Sequence, residues 1–114
     1  MPLQFFNSLS GKKEEFKPIR EGETRVYTCG PTVYNYAHIG NLRSYVFADV
    51  LRRTLEYNDY EVKRVMNITD VGEPTADESE DKMAKGLRRE GKPQTLEAMK
   101  ELGEFYTNAF VEDL

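Results

Sequence analysis

The stretch YTCGPTVYNYAHIGN, residues 27–41, decides how the chain is read. It opens inside TRVYTC, residues 24–29, a β-branched and aromatic run that predicts a buried strand. Gly30-Pro31 ends that strand, because proline has no amide proton for a ladder. From Gly40 the period changes. Val46, Phe47, Val50, Leu51 and Leu55 recur on one stripe, with Arg43, Asp49, Arg52, Arg53 and Glu56 mostly off it. This predicts an amphipathic helix over 41–57. Asn58-Asp59 is a helix stop, and YEVKRVMNIT, residues 60–69, alternates as a second strand does. Strand, helix and strand over this length predict a βαβ unit, a parallel sheet and an α/β fold class.

Working outward, the short apolar runs 3–7 and 15–19 flank a Ser10-Gly11 turn signal and predict an N-terminal β-hairpin. Residues 71–81 are acidic, contain Gly and Pro, and are expected to form a surface loop. Lys82 to Arg89 predicts a short helix stopped near Gly91-Lys92-Pro93. Thr95 is the candidate N-cap of a last helix, with Leu96, Met99, Leu102, Phe105 or Tyr106, and Phe110 as its apolar face. A parallel sheet is normally covered on both faces. One βαβ unit with these additions is therefore expected to be the first part of a larger fold, and alone to expose a sheet edge or face and self-associate.

At 114 residues the chain has room for one small domain. A net charge of −4 argues against a basic nucleic-acid-binding module, and the acidic excess of residues 71–114 is expected to be a solvated helical face. No apolar run approaches bilayer length, and MPLQFFNSLSGKK lacks a signal-peptide pattern. The single cysteine allows no internal disulfide. Together these predict a cytoplasmic protein with no membrane partner.

The same opening stretch holds the chain's one cysteine and one histidine, Cys29 and His38. In an open parallel sheet, ligands bind beyond the carboxyl ends of the strands. Cys29-Gly30 and Asn67-Ile68-Thr69-Asp70 stand at two such ends, and the helix N-terminus near Gly40 points at the same crevice, an arrangement suited to a phosphate. Gly40 permits close approach, and His38 can donate to a phosphoryl oxygen. Plainer roles compete with these. A lone strand-end cysteine is usually a small buried hydrophobe, and a lone histidine beside glycine is usually a surface or capping residue. Asn67 and Thr69 can serve as strand-end caps. Arg52-Arg53 and Arg88-Arg89 suit solvated helix faces, and Tyr34 and Tyr36 can either pack as core or wall a pocket.

CGPTVYNYAHIGNLRSYVFADVLRR together with VMNITDV resembles the amino-terminal, nucleotide-binding half of cysteinyl-tRNA synthetases, class I aminoacyl-tRNA synthetases. HIGN, residues 38–41, is similar to their HIGH motif, and the likeness runs from FKPI through the last helix. The resemblance implies a Rossmann-type (HUP-like) fold, incomplete here, with residues 1–114 as the N-terminal portion of the catalytic domain. It implies ATP-dependent activation of L-cysteine, with Mg2+, and transfer to tRNA(Cys). It also implies a zinc ion that binds the substrate thiolate, with Cys29 as its first ligand. By the same resemblance Gly30, Pro31, Thr32, Ser44, Asn67, Ile68 and Thr69 line the cysteine and adenylate pocket. His38, Gly40 and Asn41 hold the ATP, with His38 and Asn41 as the catalytic pair. Zinc suits this task because it favours a soft thiolate over the serine hydroxyl that pocket shape separates poorly.

Three departures stand out. Asn41 replaces the last histidine of HIGH, and VGEPTADES intervenes before EDKM. The KMSKS loop, the other zinc ligands and the tRNA-binding domains are missing, since DKMAKG, residues 81–86, comes too early to be KMSKS. These 114 residues alone are therefore expected to be inactive. Alternative readings are a mycothiol-pathway cysteine ligase, which shares the pocket, and a non-catalytic nucleotide- or partner-binding paralogue.

Overall fold

The computed structural model describes residues 2–72 and 81–114. The acidic loop expected over 71–81 lies mostly outside them. The described elements run β1 (Gln4–Asn7), β2 (Lys12–Glu15), β3 (Glu23–Thr28), α1 (Ile39–Tyr57), β4 (Glu61–Met66), α2 (Lys82–Arg89) and α3 (Leu96–Asp113). The predicted α/β class holds. β3 and β4 pair in parallel from Glu23↔Glu61 to Thr28↔Met66, with α1 as the crossover.

The hairpin forms, but its second strand is Lys12–Glu15 and not residues 15–19. Gly11 adopts φ +69° and its amide donates to the Asn7 carbonyl at 2.8 Å, which closes the turn before Lys12. Cross-strand pairing then recruits charged residues such as Lys13 opposite Phe6. Pairing reaches Phe16, whose amide donates to the Leu3 carbonyl, and Phe16 packs edge-on against Phe5 and Tyr60.

β3 is half-buried where a buried strand was expected. Tyr27 and Val65, directly paired, are both more than half exposed on one sheet face. The opposite face carries Thr24, Val26, Val62 and Met66 and lies under α1. Thr24 Oγ1, Thr28 Oγ1 and Arg64 Nε are buried there without a hydrogen-bond partner among the described residues. The α1 stripe is also corrected. Tyr45, Ala48 and Leu55 are buried, whereas Val46, Phe47 and Val50 are mostly exposed. A sheet of two described strands is narrower than the apolar arc of the helix above it, so part of that arc meets solvent.

Thr95 caps α3 as predicted, its hydroxyl accepting from the Ala98 amide at 3.1 Å. The buried α3 face is Ala98, Leu102, Gly103, Tyr106 and Phe110, while Leu96 and Phe105 are exposed. The main apolar cluster joins Val33, Met83, Leu87, Ala98, Leu102 and Tyr106. It therefore lies between α2, α3 and the segment after β3, outside the βαβ unit. The Cα radius of gyration is 17.8 Å. A compact domain of this length has about 13 Å, so the described chain is extended.

Candidate functional site

The site grows from the place where β3 and β4 end. Gly30 donates its amide to Asn67 Oδ1 at 2.9 Å. A Cβ at Gly30 would fall 1.8 Å from the Asn67 carbonyl oxygen, so only glycine lets the two strand ends lie this close. Beyond Pro31 the pairing resumes. Thr32 bridges Thr69 in parallel, the Thr69 amide donates to the Pro31 carbonyl, and the Val33 amide donates to the Thr69 carbonyl. Asn67 Nδ2 donates to Thr69 Oγ1 at 3.2 Å. Asn67 thus replaces a ladder bond across the break at Gly30-Pro31 and ties its own strand end together. This is a structural cap of the kind the sequence allowed.

α1 starts at Ile39 with His38 as its N-cap. His38 Nδ1 accepts from the Gly40 amide at 3.0 Å, and the His38 amide donates to Asn41 Oδ1 at 3.2 Å. This reciprocal pair is a capping box built from histidine and asparagine. Gly40 leaves room for this fold of the ring, since a Cβ there would meet His38 Cε1 at 2.7 Å and displace the ring. The helix N-terminus expected near Gly40 to suit a phosphate has backbone amides already engaged. The Gly40 amide is taken by His38 Nδ1, and the Asn41 and Leu42 amides turn to the His38 carbonyl. With Nδ1 accepting, the neutral ring carries its proton on Nε2, and Asn41, its Oδ1 engaged, presents Nδ2. His38 Nε2 and Asn41 Nδ2 are therefore side-chain donors that this turn offers outward.

These groups share a hollow of about 260 Å³ lined by Pro31, Thr32, Tyr34, Asn35, Tyr36, Ala37, His38, Asn41 and Lys82. The structure so brings together Pro31, Thr32, His38 and Asn41 of the predicted set. Gly30, Asn67 and Thr69 stand behind them as the strand-end scaffold. Cys29 is exposed just past β3, with Ile68 and Ser44 also exposed; none of the three lines the hollow. Burial, with the Cys29 charge as the smaller cause, raises the Tyr45 hydroxyl above the usual tyrosine range. A larger hollow of about 420 Å³, lined by Phe16–Arg20 and Glu23–Arg25, lies at the start of β3, away from the strand ends.

Tyr34 and Tyr36 do both things the sequence left open. Tyr34 packs on the apolar cluster, Tyr36 packs edge-on against Tyr106 at 5.0 Å, and both line the hollow. Sequence reasoning missed Lys82 and Asn35. Lys82 follows Asp81, whose carboxylate caps α2 by accepting from the Met83 amide at 2.8 Å; that cap is the signal that fixes where Lys82 enters.

The family described as tRNA synthetases class I (C) catalytic domain matches residues 15–114. The chain belongs to that family. It is 56% identical to a cysteine–tRNA ligase of Treponema denticola and 51% identical to one of Novosphingobium aromaticivorans, over 99% of this chain in both cases. A cysteine–tRNA ligase of Thermococcus kodakarensis is 46% identical over 100% of this chain. The chain spans only about a fifth of these relatives, 22% of the first and 21% of the last. A structural zinc site needs four ligands, and among the described residues no three His, Cys, Asp or Glu side chains stand together as a metal-holding group. The synthetase-family residues described here therefore fit zinc through one exposed thiol and do not close a site. No described helix is long and apolar enough to cross a membrane.

Proposed function

We propose that this chain is the N-terminal portion of the catalytic domain of a cysteine–tRNA ligase, with a Rossmann-type (HUP-like) sheet begun by β3 and β4. The carrying observation is the 56% identity to a relative bearing that name across nearly the whole chain. In this reading the whole protein activates L-cysteine with ATP and Mg2+ and passes it to tRNA(Cys) in the cytoplasm. His38 Nε2 and Asn41 Nδ2 donate to the ATP phosphates from the cap of α1, where fixed donors meet charge that grows in the transition state. Gly40 keeps the His38 ring folded over the helix start. Gly30, Pro31, Thr32, Asn67, Ile68 and Thr69 shape the strand-end crevice for cysteine and its adenylate, with Ser44 at its helix side.

Cys29 supplies one thiolate of a zinc centre whose other ligands lie outside the described residues. When bound, zinc favours the substrate thiolate over a serine hydroxyl. The thiol's exposure just past the end of β3 is the feature that suits it to a ligand role.

Cysteine-dependent ATP–pyrophosphate exchange by the full-length protein tests the reading. Exchange with cysteine and not with serine is expected. Cys29→Ser is expected to lower bound zinc and weaken that preference. Unchanged zinc content by metal analysis would refute the ligand assignment, and no exchange in the wild type would refute the function.

A further inference from the structure

Past Val33 the pocket segment leaves the sheet, and its described contacts turn to α2 and α3. Arg89 Nη2 donates to the Tyr34 carbonyl at 2.6 Å, across 55 residues of sequence. The same nitrogen reaches the Tyr106 hydroxyl at 3.3 Å, and the guanidinium carbon lies 5.8 Å from the Tyr106 ring centre. Tyr106 in turn donates to Glu90 Oε1 at 3.2 Å. Gly86 removes the obstacle beneath this contact, since a Cβ there would lie 3.0 Å from the Tyr34 carbonyl oxygen and 2.9 Å from Leu102 Cδ2. Tyr36 completes the grip through its edge-on contacts with Tyr106 and Phe105. The gripped segment, Tyr34 to Ala37, walls the hollow and runs straight into the His38 cap.

We infer that Arg89 is a positioning residue: by holding the Tyr34 carbonyl against α2 and α3 it fixes the Tyr34–Ala37 wall and, through it, the His38 ring over the pocket. The catalytic part of this inference rests on the function proposed above. A guanidinium suits the task because the two N–H bonds of its Nη2 serve the carbonyl and the hydroxyl while the cation stays within 5.8 Å of the ring centre. Lysine keeps the charge and N–H donors but on a freely rotating ammonium without the rigid planar fork.

The test uses the full-length protein and two readouts, ATP–pyrophosphate exchange and amide hydrogen exchange in peptides spanning residues 34–42. Arg89→Met is expected to lower kcat about tenfold with a smaller change in KM, as misplacement of a reacting group does. It should also speed amide exchange about tenfold in those peptides. Arg89→Lys is expected to recover part of both, with kcat about threefold below wild type. A folded Arg89→Met with kcat and exchange within about twofold of wild type overturns the inference, even if its melting temperature falls. Should Arg89→Met not fold, Arg89→Lys decides alone, and wild-type values in both readouts overturn the inference. An inactive wild type instead refutes the function, and the amide exchange then decides the role of Arg89.

Discussion

The Gly30 amide and the Asn67 side-chain oxygen meet at 2.9 Å, and the Asn67 carbonyl occupies the space a Gly30 side chain would need. Two strand ends 37 residues apart in sequence are thereby locked at the mouth of the candidate site. Gly30→Ala is expected to cost about 1–3 kcal/mol through forced displacement of backbone. Asn67→Ala is expected to cost about 1–3 kcal/mol by leaving the part-buried Gly30 amide unpaired. Denaturant unfolding of each variant of the full-length protein checks both, and wild-type midpoints for the two would count against the lock.

His38 serves the helix and the proposed ligand with different nitrogens, so the roles can be separated. His38→Ala removes the cap and should destabilise by about 0.5–2 kcal/mol. His38→Asn supplies another good capping oxygen and should restore the melting temperature, yet lose exchange activity with the Nε2 donor. Full activity in His38→Asn would show that the cap alone matters.

Glu23 gives the fold an acid-sensitive contact. Lys63 Nζ and Arg25 Nε donate to its two oxygens at 2.9 and 2.8 Å and hold its carboxyl down to about 2, with the Lys63 bond the larger cause. The unfolded chain takes up this proton near the ordinary value of 4.5. The contribution is therefore complete above that pH and fades as pH falls from 4.5 towards 2. Unfolding midpoints across that window should drop less steeply in Glu23→Gln than in wild type. Because the contact is partly solvated, added salt should shrink the difference.

Leu102 has no exposed surface and packs within the cluster that joins α2 and α3. Leu102→Ala is expected to destabilise by about 2–5 kcal/mol through the cavity left behind. Val46→Ala on α1, where the side chain is mostly exposed, tests the contrast. An equal loss at both positions, by thermal unfolding of the 114-residue chain, would show that the α1 face is buried in solution. Concentration-dependent light scattering of the same sample would identify self-association as the cause.

Much of the architecture was legible because its signals are local. The βαβ order, the span of α2 and the Thr95 cap each depend on neighbours within a few residues. So did the clustering of Pro31, Thr32, His38 and Asn41, which follows from a strand end and a helix start in one short run. The α1 face was misread because an apolar stripe states what can be buried. Which part of it is buried depends on the width of the sheet beneath. The hairpin register failed for a related reason, since charged Lys12–Glu15 pair only because the Gly11 turn puts them opposite β1.

The sequence by itself determined the order of the elements, apart from the second hairpin strand, their parallel connection and the Pro31, Thr32, His38 and Asn41 share of the site, since backbone propensity, periodicity and residue type are carried by nearby residues. Only the tertiary structure decided that His38 spends one nitrogen on its own helix, that Asn67 mends the break at Gly30, and that Arg89 grips Tyr34. The last two join groups 37 and 55 residues apart, and the first depends on how the ring folds back over Gly40. Hydrogen bonds form over about 3 Å, so such pairings are set by where the folded chain brings the atoms, which no local pattern encodes.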